Sequence, residues 1–172
     1  MTEQERVKRR WRLAGISEHW LLLLLLAGLL MSRFSSYLLF HALIEVVSVA
    51  LAWALFVVLW NTWRRVKDGY FIYLAVAYAA VAILDLVHAL TYKGMGVLPG
   101  FDANLPTQLW IAARALQAVS LVVAAFFIGR RPPRPAPLLL SYGAAAALLL
   151  VVIFLGWFPT CYVEGQGLTV FK

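Results

Sequence analysis

The stretch that decides the architecture is DLVHALTYKGMGVLPGFDANLPTQLWIAAR, residues 85–114. It places Asp85 and His88 near the end of one apolar run and Arg114 inside the next, with a Gly- and Pro-containing link between them. If both runs cross a membrane, these three side chains lie where lipid would otherwise be. An ionisable group deep in a bilayer costs at least ~2.5–3.5 kcal/mol, so such groups usually have a partner and a function.

The composition of the whole chain indicates a membrane protein. Its 172 residues are 63% hydrophobic and 13% charged, whereas soluble domains are about 45–50% apolar and about 25% charged. Several runs approach or exceed the roughly 20 apolar residues that a spanning helix needs. The single cysteine, Cys161, excludes an internal disulfide and a Cys-rich metal site.

Five apolar segments predict an all-α integral membrane fold, a bundle of about five transmembrane helices. Their predicted limits are residues 16–32, 36–63, 70–92, 107–129 and 137–158. We expect residues 1–15 to form a basic cytoplasmic N-terminal segment and residues 16–172 to form one multi-span transmembrane domain. The tail TCYVEGQGLTVFK, residues 160–172, is expected to be an outer loop that leads into a further span, so that the chain belongs to a larger multi-span module.

Positive charge predicts the orientation of the spans. The net charge is +7, and the basic residues cluster in the short segments 6–12, 64–67 and 130–134. Because Lys and Arg accumulate in cytoplasmic links, this alternation places the N-terminus inside and the link after residue 92 outside. The same clustering favours the lipid bilayer as a partner and argues against nucleic acid.

The polar residues of three neighbouring spans fall at similar depths. At the helical rise of about 1.5 Å per residue, each depth can be counted from the outer end of its span. The depths are about 7 and 13 Å for His41 and Glu45, about 10 and 6 Å for Asp85 and His88, and about 4, 10 and 15 Å for Trp110, Arg114 and Gln117. All therefore lie in the outer half of the bilayer.

The helical faces agree with the depths. His41 and Glu45 are four residues apart and Asp85 and His88 are three apart, so each pair shares a face. We therefore predict an outer-half pocket walled by spans two, three and four, in which Arg114 bridges the two acids. Its predicted residues are His41, Glu45, Asp85, His88, Tyr92, Asn104, Trp110, Arg114 and Gln117. The alternative is that the charged residues only fix helix register, that Tyr92 and Trp110 are interfacial belt residues, and that Asn104 belongs to a turn.

Three chemistries fit these residue types. His41, Glu45, Asp85 and His88 are ligands suited to Zn, Fe or Mn, although Arg114 beside a cation is unfavourable. His41 and His88 on neighbouring helices are also candidates for axial ligands of a haem. The third reading is a small polar ligand or protons, because histidine titrates near neutral pH and arginine binds carboxylate or phosphate-like groups. The residues do not choose among the three.

Catalysis by this chain is disfavoured, and no catalytic residue is assigned. The sequence has no phosphate-binding loop, no Ser-centred nucleophile elbow and no zincin pattern. A transporter is disfavoured too, because no paired, Gly/Pro-broken spans recur in two halves.

Three segments carry a resemblance to a known family. FHALIE (40–45), LDLVHALTYKGMGVLPG (84–100) and DANLPTQLWIAARALQA (102–118) resemble a bacterial membrane-associated sensor domain of the third type. The likeness runs from about the first span to the final LTVFK. It implies a multi-span input module of histidine kinases and diguanylate cyclases. It implies these characteristic positions: His41, Glu45, Asp85, His88, Tyr92, Lys93, Gly94, Asn104, Trp110 and Arg114. The family module has further spans before its output domain.

The sequence therefore predicts a sensory input domain in the bacterial inner membrane. We expect it to sense a small ligand, an ion or protons in the outer-half pocket. It would signal to a cytoplasmic kinase or cyclase domain of the same polypeptide, as in two-component systems, and would form a homodimer through the parent protein. One alternative is a membrane redox protein that binds a metal ion or haem, and another is a structural membrane scaffold.

Overall fold

Five long helices make up most of the chain in a computed structural model that describes residues 3–171, with side chains described from residue 19. The helices are α1 (Glu3–Ser35), α2 (Tyr37–Val66), α3 (Gly69–Thr91), α4 (Asn104–Ala125) and α5 (Pro135–Phe154). A bundle of membrane helices is therefore confirmed. Among the described residues, α2 to α5 are each long and apolar enough to cross a bilayer, and α1 carries a shorter apolar stretch, His19–Ser35.

The chain divides into two compact units, residues 1–44 and 45–172. The first unit contains α1 and the first residues of α2, which are separated only by Ser36, so the link predicted between residues 32 and 36 is shorter than expected. The Arg33 guanidinium lies 5.0 Å from the Tyr37 ring centroid, and Tyr37 stacks on the imidazole of His41 at 6.2 Å. The proposed boundary at residue 15 falls within α1, which continues through it.

Helix α3 is the most buried element of the second unit. Its buried positions are mostly small, including Ala75, Ala79 and Ala82, and α4 presents Ala112 and Ala113 in return. Small side chains let membrane helices approach closely, which strengthens their van der Waals packing. As a result, α3 and α4 form the main helix pair, and α5 packs against both.

Two apolar clusters hold the ends of this helix group together. One cluster contains Leu105, Leu109, Ala112 and Ile153. The other contains Ile72, Val76 and Leu138, with Trp60 and Trp63 of α2 packed against it. The aromatic end of α2 thus joins the same core as the starts of α3 and α5.

The predicted helix limits need small corrections. Helix α4 begins at Asn104 rather than Thr107, because the carboxylate of Asp102 accepts a hydrogen bond from the Asn104 N–H at 3.0 Å. Pro106 is tolerated there, since the first turn of a helix needs no proline N–H. Helix α5 spans Pro135–Phe154 rather than 137–158, and Gly156, with φ 73°, follows its end.

The C-terminal tail folds back as a β-hairpin. Strands β1 (Tyr162–Val163) and β2 (Gly167–Leu168) pair antiparallel, with Tyr162 opposite Leu168. Gly165 and Gly167 have φ of 82° and 88°, a conformation that costs glycine little. The sequence predicts an outer loop here but not its strands, because such short strands carry no detectable alternation.

Candidate functional site

An ion pair joins α3 to α4 within the apolar core. The Nη2 of the Arg114 guanidinium donates a hydrogen bond to Oδ2 of the Asp85 carboxylate. The Asp85 side chain is 8% exposed and that of Arg114 is 38% exposed. Within the described residues, the Nε–H of Arg114 is buried and makes no hydrogen bond. The pair neutralises the acid internally and leaves the buried Nε–H of the guanidinium for another acceptor.

His88 lies one helical turn beyond Asp85 and is 5% exposed. Its Nδ1 is 2.7 Å from the backbone carbonyl oxygen of Pro106, in the first turn of α4. A carbonyl only accepts hydrogen bonds, so Nδ1 carries the proton in this contact. The other ring nitrogen, Nε2, therefore holds a lone pair when the ring is neutral and a second proton when it is charged.

Glu45 of α2 completes this arrangement. Its Oε1 lies 3.7 Å from Nε2 of His88, and its side chain is 15% exposed. The formal charges of Glu45, Asp85 and Arg114 sum to −1, and a proton on His88 brings the sum to zero. The local charge balance thus changes when His88 gains or loses a proton.

A cavity of about 380 Å³ opens beside His88. It lies at what we call the hairpin end of the second unit, formed by residues 92–103 and 159–169. Its walls come from the end of α3, the start of α4 and the β-hairpin, and are formed by His88, Tyr92, Lys93, Ala103, Pro106, Thr107, Tyr162 and Leu168. The cavity is mostly apolar, and two tyrosines, a lysine and an imidazole add polar groups to its walls.

Two amide side chains of α4 attach the hairpin. The Asn104 Oδ1 accepts hydrogen bonds from the backbone N–H of Cys161 at 2.8 Å and of Tyr162 at 3.0 Å. The buried Gln108 donates through Nε2 to the carbonyl oxygens of Phe158 at 3.1 Å and Pro159 at 2.9 Å. Asn104 and Gln108 are four residues apart and so share one face of α4. The hairpin is therefore held over the cavity by side chains rather than by a long sheet.

A third attachment is an exposed ion pair between Lys93 and Glu164. The hydrogen bond and the charge of Glu164 raise the pKa of Lys93 above its ordinary value, and Lys93 in turn lowers the pKa of Glu164. Both side chains are well exposed, and solvent-exposed pairs contribute little to stability. This contact orients the rim of the cavity more than it holds the hairpin in place.

A family model described as a membrane-associated sensor domain, MASE3, matches residues 32–172. The chain belongs to the MASE3 family. The match covers α2 to α5 and the hairpin, and it confirms the resemblance carried by residues 40–45, 84–100 and 102–118. No curated protein and no solved structure matches the chain. The MASE3 domain is thus a membrane-associated sensory input module.

The MASE3 fold brings several predicted site residues together. Asp85, His88, Arg114 and Glu45 lie around the α3–α4 contact, and Tyr92 lines the cavity with its ring 6.1 Å from that of His88. In the structure Arg114 forms an ion pair with Asp85, and Glu45 lies against His88. A bridge from Arg114 to both acids stays a prediction.

Other predicted residues take different positions. Asn104 is the first residue of α4 and holds the hairpin rather than belonging to a turn. Trp110 is 39% exposed on α4. Gln117 lies further along the α3–α4 contact, where its Nε2 donates to the Tyr78 hydroxyl at 3.4 Å. His41 belongs to the N-terminal unit, where it stacks on Tyr37.

The sequence did not indicate four contributors to the site. Gln108, Thr107, Tyr162 and Glu164 line or close the cavity. The spacing of Asn104 and Gln108 is a usable signal, because two amides on one helix face suggest a backbone to bind. Tyr162 and Glu164 carry no such signal, since they reach the cavity only through the hairpin.

The metal reading finds partial support in the residue types. Glu45 and His88 are oxygen and nitrogen ligands in contact, as zinc or iron sites use. Asp85, by contrast, already binds Arg114, and that guanidinium would repel a nearby cation. Within the second unit, Asp85 is therefore taken up by Arg114, and Glu45 and His88 are the candidate metal ligands.

Proposed function

We propose that this MASE3 domain senses a small polar ligand or protons in the cavity at its hairpin end. His88 carries the proposal, because it lines the cavity and also contacts the Pro106 carbonyl of α4 and the Glu45 carboxylate of α2. A change at this imidazole therefore acts on three helices at once. Histidine is suited to this, since small environmental shifts move its titration across neutral pH.

The response follows from the charge balance around His88. With the ring neutral, Glu45 and Asp85 exceed Arg114 by one negative charge. A proton on Nε2, or a donor group of a bound ligand, draws Glu45 toward His88. An anionic group that reached the buried Nε–H of Arg114 would instead compete with Asp85 and weaken that ion pair. A stimulus shifts the domain only if it binds one helix packing better than the other.

The signal is proposed to leave through the opposite ends of the same helices. Helices α3 and α4 run from the hairpin end to the basic links at residues 64–67 and 130–134. Positive links favour the cytoplasmic face. The hairpin would therefore face outward, and the N-terminus would lie on the cytoplasmic side of the bacterial inner membrane. The output would be a histidine kinase or diguanylate cyclase domain of the same polypeptide, dimeric through that parent protein.

The test uses the signalling protein that carries this domain, reconstituted in lipid vesicles. Output is measured from about pH 5 to about pH 8, the range in which histidine titrates, and then with acetate and with Zn²⁺ as probes. We expect output to respond to pH or acetate, and the response to be lost in His88→Ala and Arg114→Ala. Leu86→Ala is the matched control, because Leu86 lies on α3 but is 43% exposed on another face.

Three outcomes overturn the proposal. Output that ignores every probe argues for a structural scaffold, and a response that persists unchanged in both site variants rejects the site. Purified protein with a stoichiometric metal ion or a Soret absorption band would favour the membrane redox protein instead. Elemental analysis and an absorption spectrum of the same preparation give that result directly.

A further inference from the structure

A second cavity lies at the other end of the same helices. It measures about 480 Å³ and is formed by the starts of α3 and α5 and the link before α5. We call this the basic end, residues 64–69 and 129–134, and call the cavity the basic-end groove. The groove is lined by Tyr73, Pro133, Arg134, Pro137, Leu138 and Ser141. Arg134 is the charged side chain among these lining residues, and it is exposed.

The walls of the groove are held by short-range contacts. Asp68 caps α3 by accepting from the Tyr70 N–H at 2.9 Å, and its other oxygen accepts from the Gly129 N–H at 3.0 Å. The Gly69 N–H donates to the Arg130 carbonyl oxygen at 2.8 Å. These bonds fix the link after α4 against the start of α3, so the groove has a defined shape.

The charge around the groove is of one sign. Six exposed basic side chains lie at the basic end, against the single acid Asp68, which is occupied by backbone N–H groups. They are Arg64, Arg65, Lys67, Arg130, Arg131 and Arg134. An anion at this end therefore meets an attractive field and no free carboxylate among the described residues. Basic residues beside spanning helices attract anionic lipids for this reason.

We propose that the basic-end groove binds an anionic phospholipid. The phosphate lies on Arg134, and the upper part of one acyl chain lies against Tyr73, Pro137 and Leu138. The groove is built on helices long and apolar enough to span a bilayer, so its ligand comes from the membrane. A free phosphate would use Arg134 but leave the apolar wall unfilled. The proposal does not depend on the sensing role of the hairpin end.

The test is lipid retention by the purified chain. Protein is reconstituted with equal amounts of phosphatidylglycerol and phosphatidylcholine with the same acyl chains, and the lipid that remains after delipidating washes is measured by native mass spectrometry. We expect phosphatidylglycerol to be preferred and Arg134→Gln to weaken its binding about fivefold. Lys93→Gln removes the same charge at the hairpin end and should leave retention unchanged.

A pair of bulky substitutions tests the acyl-chain site. Ser141→Phe places a ring in the groove and should reduce phosphatidylglycerol retention, whereas Leu140→Phe, at a neighbouring position that is 73% exposed, should not. Equal retention of the two lipids overturns the proposal. So does an equal loss in Arg134→Gln and Lys93→Gln, which would indicate attraction by net charge alone. Displacement of the lipid by millimolar glycerol phosphate would show that a free phosphate is the preferred occupant, and would also overturn it.

Discussion

The hairpin end and the basic end of the second unit use charge in opposite ways. Beside the hairpin end, Asp85 is buried and paired with Arg114, and His88 is buried against a carbonyl and an acid. At the basic end, the charges are exposed and of one sign. A charge within a membrane helix needs a partner inside the protein, whereas an exposed cluster can take its counter-ions from outside. The buried charges beside the hairpin end are thus suited to respond to a stimulus, and the exposed charges of the basic end are suited to bind anionic lipid.

The two ends also differ in how their links are held. Side chains of α4, Asn104 and Gln108, hold the hairpin by four hydrogen bonds to its backbone or to the segment before it. The basic end is held by Asp68 and by close backbone approach at Gly69. A ligand can compete with the first kind of attachment more easily, because a side chain can rotate away while a backbone cannot.

The largest difference between the ends should appear when arginines are removed. Arg114→Met leaves Asp85 charged and buried, which should destabilise the domain by about 3 kcal/mol. Arg130→Met, at the exposed basic end, should change stability by less than about 0.5 kcal/mol. Unfolding of each variant in nanodiscs measures both free energies. Similar losses in the two variants would break the comparison.

A double-mutant cycle tests whether Asp85 and Arg114 are energetically coupled. Asp85→Asn should cost less than Arg114→Met, because the Arg114 side chain is 38% exposed and can turn toward water. Adding Asp85→Asn to Arg114→Met should recover part of the loss. Strictly additive losses would show that the two side chains are not coupled.

The hairpin attachment gives the next largest effect. Asn104→Ala leaves the backbone N–H groups of Cys161 and Tyr162 without their acceptor, at a cost of about 1–3 kcal/mol. The buried Cys161 thiol, the single cysteine of the chain, should then react with a maleimide about tenfold faster or more. Asn61→Ala is the control, since the Asn61 amide donates to the Val57 carbonyl oxygen within α2. Unchanged labelling in Asn104→Ala would mean that the hairpin is held by other contacts.

Gly69 tests the close packing at the basic end, and Gly143 serves as its control. In Gly69→Ala, the new Cβ would lie 3.2 Å from the Phe127 Cβ and 3.3 Å from the carbonyl oxygens of Arg130 and Arg131. We expect a loss of about 1 kcal/mol from this overpacking. Gly143→Ala meets nothing within 4 Å in the middle of α5 and should stabilise the domain by about 0.5–1 kcal/mol. Thermal unfolding of both variants checks the sign, and a stabilised Gly69→Ala would refute the close approach.

The smallest effect is expected from the exposed pair at the rim of the cavity. Lys93 lowers the pKa of Glu164 below its ordinary 4.5, so the stabilising contribution is present above that value and is lost as pH falls through the lowered pKa. The raised pKa of Lys93 acts at the other extreme: its contribution is present below 10.5 and is lost as pH rises through the raised value.

Glu164→Gln should therefore leave the unfolding temperature unchanged at neutral pH. We expect it only to speed hydrogen exchange in the hairpin, and at high salt the wild type should exchange at the rate of the variant, because salt screens exposed charges. A large loss of stability at neutral pH would show that this pair, rather than Asn104 and Gln108, holds the hairpin.

Much of the fold could be predicted because its causes are local. Apolar runs of sufficient length predict spans, and the depth count placed Asp85 and Arg114, which form an ion pair in the structure, at the same level. The errors came from side-chain hydrogen bonds, which a count of residues along one helix does not include. Gln117 was counted into the pocket, yet it bonds Tyr78 further along α3. The α4 start was placed too late, because the hydrogen bond from the Asn104 N–H to the Asp102 carboxylate was not considered.

The amino-acid sequence by itself determined that this is a membrane protein, which helices it forms, and which of their faces carry charge. These follow from hydrophobicity and helical periodicity, which any segment has without its neighbours. Only the tertiary structure decided that Asp85 pairs with Arg114, that His88 touches Pro106, and that a hairpin closes the cavity. Those contacts depend on how far each helix is turned and shifted against the next, and a hydrogen bond is lost within about 1 Å of such movement.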